Sequence, residues 1–282
     1  MIDTRVCRIH LLDFAGGGAG PTLVLLHGLG ADCLSFANLV FRLRPHFSRV
    51  IIPDLPGHGW SEDVDALTPA EMMRGLCDAL DEVLDEPAAF VGTSLGGMCA
   101  ARYAAMRPSN VESLVLVAPG GAPLDSAGFE RLLATFEIDD HAAAMDFVGR
   151  CFVKTPRAVR RVLALGVRRR MGDPALRATI ARFTPEDMLR PGELATIRAP
   201  TLLIWGSEER LLPEGVLDFF RAHLPRGARI ERWSHFGHAG FLEQPRVVAQ
   251  RIVGFTREGA LEARSVPQLR WPASGATLAA SP

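Results

Sequence analysis

Lysine is almost missing from this chain. Lys154 is the single one, and arginine carries nearly all the positive charge, which we read as coding bias. Lysine and arginine together number 31 against 32 aspartates and glutamates, a net charge of −1. That balance gives no basic excess for holding a nucleic-acid backbone. Cysteine is scarce as well. Cys7, Cys33, Cys77, Cys99 and Cys151 form no close pairs and no metal-ligand spacing. An odd, scattered set of this kind reads as reduced thiols in a cytoplasmic protein. No apolar run approaches the ~18 residues of a membrane span, so stable membrane insertion is not expected. Met1 to His10 mixes Asp3, Arg5 and Arg8 into the apolar residues and lacks the apolar centre of a signal peptide. Internal repeats are absent too.

Against these gaps stands a hydrophobic content of 48 % over 282 residues. That is enough to core one large domain, or one domain with an inserted subdomain. Short apolar runs alternate with helix-like stretches. Val6–Phe14 reads as an early strand, followed by strands at Thr22–Leu26, Val50–Pro53, Ala88–Val91 and Val111–Ala118. Between them Ser35–Leu43 and Pro69–Leu84 carry helical spacing, and Thr68 ahead of Pro69 makes a helix start. Such interleaving predicts an α/β fold, a mostly parallel sheet with helices on both faces. In such sheets ligands bind beyond the carboxyl ends of the strands. The alternation stops at Pro119-Gly120-Gly121-Ala122-Pro123 and resumes at Pro200. Between those points only helices are expected: Phe129–Phe136, Ala142–Phe152, Ala158–Met171 and Pro174–Phe183. From Gly259 onward periodicity is lost, and a loosely ordered tail is expected.

Gly92-Thr93-Ser94-Leu95-Gly96 has the form G-x-S-x-G. An ordinary turn serine could sit in those five letters. Their setting makes Ser94 a candidate nucleophile, because a strand precedes it and the Ala-rich stretch to Met106 follows. A strand turning sharply into a helix exposes the serine hydroxyl at the apex. That hydroxyl is a weak nucleophile at neutral pH. It needs a base, and the base needs an orienting carboxylate. The strand Thr201–Trp205 leads into Gly206-Ser207-Glu208-Glu209, and the strand Ala228–Trp233 into Ser234-His235-Phe236-Gly237-His238. Glu208, Glu209 and Asp125, the last behind the strand Ser113–Val117, are candidates for the acid. His235 and His238 are candidates for the base. The loop His27-Gly28-Leu29-Gly30 also follows a strand, and no Lys-Ser/Thr follows its glycines to make it a phosphate cradle.

Four motifs stand in order: His27-Gly28-Leu29-Gly30, Asp54-Leu55-Pro56-Gly57-His58-Gly59-Trp60-Ser61, the Ser94 segment, and Gly237-His238 with Glu243 and Pro245 beyond. Together they resemble an α/β-hydrolase-fold serine esterase or lipase with a helical cap. Within that group the chain is most similar to the monoacylglycerol-lipase-like enzymes, over roughly residues 20 to 257, with the middle third matching least well. The resemblance implies residues 1–119 and 198–258 as the two parts of the core, 120–197 as the cap, and 259–282 as a tail. It implies Ser94 as nucleophile and His238 as base, with His235 a decoy. The family segment W-G-x-x-D-x-x-x-P appears from Trp205 to Pro213 with Glu209 in the Asp place, a departure that lengthens the acid by a methylene. A Glu209 carboxylate oxygen is therefore expected within hydrogen-bond reach of His238 Nδ1, with Glu208 and Asp125 as rivals. The oxyanion hole falls to the backbone N–H groups of Leu29 and Leu95. Phe129, Leu133, Phe136, Phe147 and Phe152 of the cap are candidates to line an acyl site, or they simply hold the cap helices together. No metal and no organic cofactor is implied.

The reaction these residues point to is hydrolysis of a small-molecule carboxylic ester through an acyl-enzyme. C–C bond hydrolysis of a ring-cleavage diketone is the alternative on the same fold, and Arg210 beside the acid resembles those enzymes. Against it, Gly28-Leu29-Gly30 stands where they usually carry G-P-G, and Ala239 follows His238 where they commonly carry Trp. A catalytically silent hydrolase-fold binding protein would typically have lost the serine or the histidine. Arg157, Arg160, Arg161, Arg168, Arg169 and Arg170 form either a solvated helix face or a landing patch for an anionic substrate, carrier or lipid surface.

Overall fold

Strand β4 (Gly20–Leu26) ends in Leu23, Val24, Leu25 and Leu26, all fully buried. A strand apolar on both faces needs cover on both sides. In the computed structural model, which describes the backbone of residues 1–265 and side chains through residue 258, that cover is present. Val24 and Leu26 face one core, and Leu23 and Leu25 face the other. The same alternation runs through β6 (Ala88–Thr93), β7 (Val111–Val117) and β8 (Thr201–Gly206). Phe90, Leu116 and Trp205 lie on the first side, and Val91, Val117 and Ile204 on the second. Helices α2 (Pro69–Val83) and α3 (Leu95–Met106) bring Leu76, Leu80 and Tyr103 to the first core. Helix α1 (Ala37–Leu43) brings Leu39 and Leu43, and α11 (Pro245–Ser265) brings Val248, Ile252 and Phe255, to the second.

The main sheet has seven strands in the order β3-β5-β4-β6-β7-β8-β9. Here β3 is Leu11–Ala15, β5 is Phe47–Pro53 and β9 is Arg229–Trp233. Only β3 runs antiparallel to its neighbour, β5. The protein therefore has the mostly parallel α/β sheet, covered by helices on both faces, expected from its strand–helix alternation, in the arrangement that the hydrolase resemblance implies. The register aligns Leu26 with Gly92 and Gly92 with Leu116, so β4, β6 and β7 end side by side. The loops after them meet at one edge.

Two boundaries differ from the sequence reading. Val6–Phe14 is not one strand. It divides into β2 (Arg8–Ile9), which pairs with β1 (Ile2–Asp3), and β3. The break falls at His10, whose carbonyl accepts from Asp54 N–H at 2.8 Å and whose N–H donates to Ser61 Oγ at 3.0 Å. Loop contacts take the bonds that a sheet would use. At the other end, α11 spans Pro245–Ser265, so the first residues placed in the tail are helical. Once the packed turns around Val248 and Ile252 are formed, each added residue needs no new nucleus, and Ala260, Leu261, Glu262 and Ala263 are good helix formers. The remainder of that tail, residues 266–282, lies outside the described residues.

Between β7 and β8 the chain is helical: α4 (Ser126–Ala134), α5 (His141–Cys151), α6 (Arg157–Met171), α7 (Pro174–Ile180) and α8 (Pro191–Ala195). Asp125, Asp140 and Asp173 cap α4, α5 and α7 by accepting from Gly128, Ala143 and Leu176 N–H. The insertion has a core of its own around Ile138, Ala144, Val148, Ala164 and Leu176. Helix α9 (Glu214–His223) lies between β8 and β9, and the short α10 (Gly240–Glu243) precedes α11. Among the described residues, no helix is long and apolar enough to cross a membrane.

Candidate active site

Ser94 lies between β6 and α3 at φ 52°, ψ −120°. A non-glycine residue rarely adopts this region, and it persists only where neighbours enforce it. The enforcement is close packing of the turn. A Cβ on Gly92 would stand 2.3 Å from Gly96 O, and one on Gly96 would stand 2.1 Å from Leu26 O. Hence the glycine on each side of Ser94 is a steric requirement. Ser94 occupies the N-cap position of α3, yet its side chain caps nothing, which leaves Oγ available.

The candidate base and acid come from adjacent loops. Gly206 ends β8 so close to the following loop that a Cβ there would lie 1.9 Å from Phe236 O. Ser207 N–H donates to Trp233 O at 2.8 Å and Glu208 N–H to Phe236 O at 3.1 Å, joining the loops after β8 and β9. His238 Nδ1 and Glu209 Oε2 come to 2.8 Å, both buried. Glu209 Oε1 accepts from Leu211 and Leu212 N–H at 2.8 and 3.0 Å, so both oxygens are engaged. Burial, the largest influence, pushes the Glu209 carboxyl up. The charge and hydrogen bond of His238, with the two backbone donors, outweigh it and hold the group below the usual range.

The other candidates stand elsewhere. Glu208 faces Arg210 at 2.7 Å and His235 at 3.4 Å, away from His238. His235 is largely exposed. Asp125 is the N-cap of α4. Arg210 belongs to the surface pair with Glu208.

The loop after β4 brings Leu29 to Ser94. Among the described residues neither Leu29 N–H nor Leu95 N–H donates to another group. His27 anchors this loop. It is fully buried, its Nδ1 lies 2.9 Å from Gly28 O, and its Nε2 accepts from Leu55 N–H at 3.0 Å. Burial pushes its pKa down and keeps the imidazole neutral. Asp54, which opens the second sequence motif without an assigned role, is the knot behind the loop. It accepts from Cys33 N–H at 2.6 Å and Trp60 N–H at 3.0 Å, and its Oδ2 lies 2.8 Å from His10 Nδ1. His10, Cys33 and Asp54 have donor atoms close enough together to suggest a metal site. Their chemistry fits a hydrogen-bonded tie better. The carboxylate oxygens already accept N–H bonds, and burial with the nearby Asp54 charge pushes the Cys33 thiol up to about 12.

A cavity of about 200 Å³ opens over these groups, lined by Ser94, His238, Leu29 and Cys151 among others. Phe136, Phe147 and Phe152 of the insertion also line it, with Arg170 and Met171 of α6. A second cavity of about 70 Å³ meets it at Ser94 and is lined by Phe129, Leu133 and Phe136. All five insertion residues singled out from sequence thus border a cavity at Ser94. Met171, Leu211 and Phe241 were missed, because single apolar residues outside a motif carry no signal, and Arg170 was named only as one of six arginines with an open role. Cys151 is no rival nucleophile, since burial and the Glu209 charge push its thiol up.

Residues 21–245 match the family model described as the alpha/beta hydrolase fold. The chain belongs to this family. Pimeloyl-[acyl-carrier protein] methyl ester esterase of Nitrosomonas europaea is 33 % identical over 241 residues, covering 81 % of this chain and 92 % of that protein. The enzyme of the same name from Xanthomonas campestris pv. campestris is 31 % identical over 258 residues, covering 84 % and 96 %. Among solved α/β-hydrolase structures, the meta-cleavage product hydrolase from Pseudomonas fluorescens IP01 superposes with a TM-score of 0.74 at 19 % identity. That match covers 91 % of this chain and 97 % of the other, and it speaks to fold alone.

Proposed function

We propose that this α/β-hydrolase is a serine carboxylester hydrolase that works through Ser94, His238 and Glu209. The observation that carries the reading is the 2.8 Å contact of His238 Nδ1 with Glu209 Oε2, together with the cavity that Ser94 and His238 share. In the first half-reaction Ser94 Oγ attacks the ester carbonyl carbon and passes its proton to His238 Nε2. Glu209 fixes the imidazole with Nδ1 protonated and stabilises the cation that forms. Leu29 and Leu95 N–H hold the oxyanion, each worth about a hundredfold or more in rate. The tetrahedral intermediate collapses, His238 gives its proton to the departing alcohol, and an acyl-Ser94 ester remains. Water deprotonated by His238 then attacks that ester. The products are a carboxylic acid and free Ser94.

The helical insertion serves as a cap. Its phenylalanines make the walls over Ser94 apolar, which excludes water and suits an aliphatic acyl group. An aliphatic acyl ester is common to the monoacylglycerol-lipase resemblance of the motifs and to the names of the two esterase relatives. C–C bond hydrolysis receives less support, because Arg210 lies in a surface pair with Glu208 and not in the cavity. The test is a series of para-nitrophenyl esters from acetate to palmitate, run beside a monoacylglycerol and a ring-cleavage diketone. Turnover of esters with none of the diketone is expected. Diketone turnover without ester turnover would overturn the reading.

A further inference from the structure

The two cavities that meet at Ser94 differ in kind. The larger, about 200 Å³, is bordered by His238 and contains Arg170 in its wall. The smaller, about 70 Å³, has Leu95, Phe129, Leu133, Ile180 and Met188 in its wall and no charged side chain. Leu29 and Phe136 border both. His238 borders only the larger. In ester hydrolysis the departing alcohol takes its proton from the histidine, so it must leave on the imidazole side. That places the alcohol half in the larger cavity. The acyl chain, whose carbonyl oxygen turns toward Leu29 and Leu95, is left with the smaller one, whose wall apart from Ser94 is apolar.

Among the described residues, Arg170 is the one arginine, lysine or carboxylate side chain that lines the larger cavity. Its Nη2 donates to Gly57 O at 2.9 Å. Asp173 Oδ1, its carboxylate neighbour, lies 3.8 Å from Nη1, too far for a hydrogen bond. A guanidinium carries more donors than these contacts use. The Gly57 contact holds the head in place, so little freedom is lost when a ligand binds. The rest of that wall is nearly apolar, so a polar group on a ligand there has the partly exposed Arg170 as its charged neighbour. We propose that Arg170 is a specificity-determining residue that binds a carboxylate or phosphate on the alcohol half of the ester. The substrate class is then an aliphatic acyl ester of an anionic alcohol. This rests on the ester-hydrolase reading above.

The test uses the full-length protein and two matched pairs of esters. In one pair the charge is on the leaving group: para-carboxyphenyl butyrate against its neutral isostere para-carbamoylphenyl butyrate. In the other it is on the acyl group: para-nitrophenyl hydrogen succinate against para-nitrophenyl butyrate. The wild type should favour para-carboxyphenyl over para-carbamoylphenyl butyrate about 10–100-fold in kcat/KM, mostly through KM. Arg170→Gln should bring that ratio near unity, and Arg170→Lys should keep part of it. A role in cap stability alone would not move the ratio. Para-phosphonooxyphenyl butyrate, if favoured over the carboxylate, identifies phosphate as the better anion. A preference confined to the succinate pair, or a ratio unchanged in Arg170→Gln, overturns the assignment. Labelling of Ser94 by a fluorophosphonate with no charge preference in either pair overturns only the Arg170 assignment. Failure of labelling and of all ester turnover overturns the ester-hydrolase reading with it.

Discussion

Ser94 holds its strained backbone because glycine on either side lets Gly96 O and Leu26 O approach closely. Strain of this kind costs about 1–3 kcal/mol, which the surrounding sheet and helix must offset. Ser94→Ala keeps the turn and removes the proposed nucleophile, so kcat on a para-nitrophenyl ester should fall to background, roughly a millionfold. His238→Ala should be as damaging. His235→Ala should be mild, because that side chain faces Glu208 in solvent. A dead His235 variant would contradict the assignment of the base. Glu209→Gln keeps the shape but cannot hold the productive tautomer and its cation, and should lower kcat by about 10⁴. Asp125→Ala should leave kcat alone and cost about 1 kcal/mol of stability, the value of an N-cap. Loss of turnover in Asp125→Ala with Glu209→Gln active would reverse the choice of acid. At this scale the strand ends offered Ser94, three acids and two histidines, and it was the family motifs around Trp205–Pro213 and Gly237-His238 that singled out Glu209 and His238. Arg170 was not legible, because only the third dimension separates it from its arginine neighbours in α6.

Elements were readable where local rules decide them. Thr68 and Glu71 form the reciprocal cap that opens α2, with Pro69 behind it, as Thr68-Pro69 suggested. Helices in the insertion fell within a few residues of their expected positions, because each carries its own apolar spacing. What local rules could not give was the break at His10, which long-range bonds from Asp54 and Ser61 impose. Nor could they give the work of Glu243. It was visible as a residue downstream of His238, but it accepts from Val153 N–H, Lys154 N–H and Thr155 Oγ1 at 3.0, 2.7 and 2.8 Å. It therefore ties the link between α5 and α6 to the loop carrying His238. Glu243→Gln weakens a charge-assisted tie, and should lower the melting temperature and raise KM more than it lowers kcat. The two cavities make another expectation for the insertion. Leu133→Ala enlarges the smaller cavity, and should shift kcat/KM toward longer acyl chains by about 1–3 kcal/mol at most. An unchanged chain-length profile would mean that the acyl group lies elsewhere.

Across the whole molecule, the parallel register gathers the loops after β4, β6, β8 and β9 at one sheet edge, and the insertion closes over it. The packing that holds the loop after β4 also sets a pH limit. Burial, with the neighbouring imidazole of His27 and the charge of Arg170, pushes His58 down from 6.5 to about 3. His27 is shifted the same way. Below pH 6.5 the unfolded chain binds protons that these buried rings refuse, so stability should fall as pH drops from 6.5 toward 3. Urea midpoints measured over that range should show the slope, and His58→Gln should flatten it. An equal slope in the variant would assign the acid sensitivity to other groups. The central claim, that Ser94 is an activated nucleophile, is tested most directly by treating the folded protein with a fluorophosphonate and mapping the adduct by mass spectrometry. We expect one adduct, on the Ser94 peptide, abolished by Ser94→Ala and strongly slowed by His238→Ala. No adduct, or an adduct on another residue that persists in Ser94→Ala, would contradict the account.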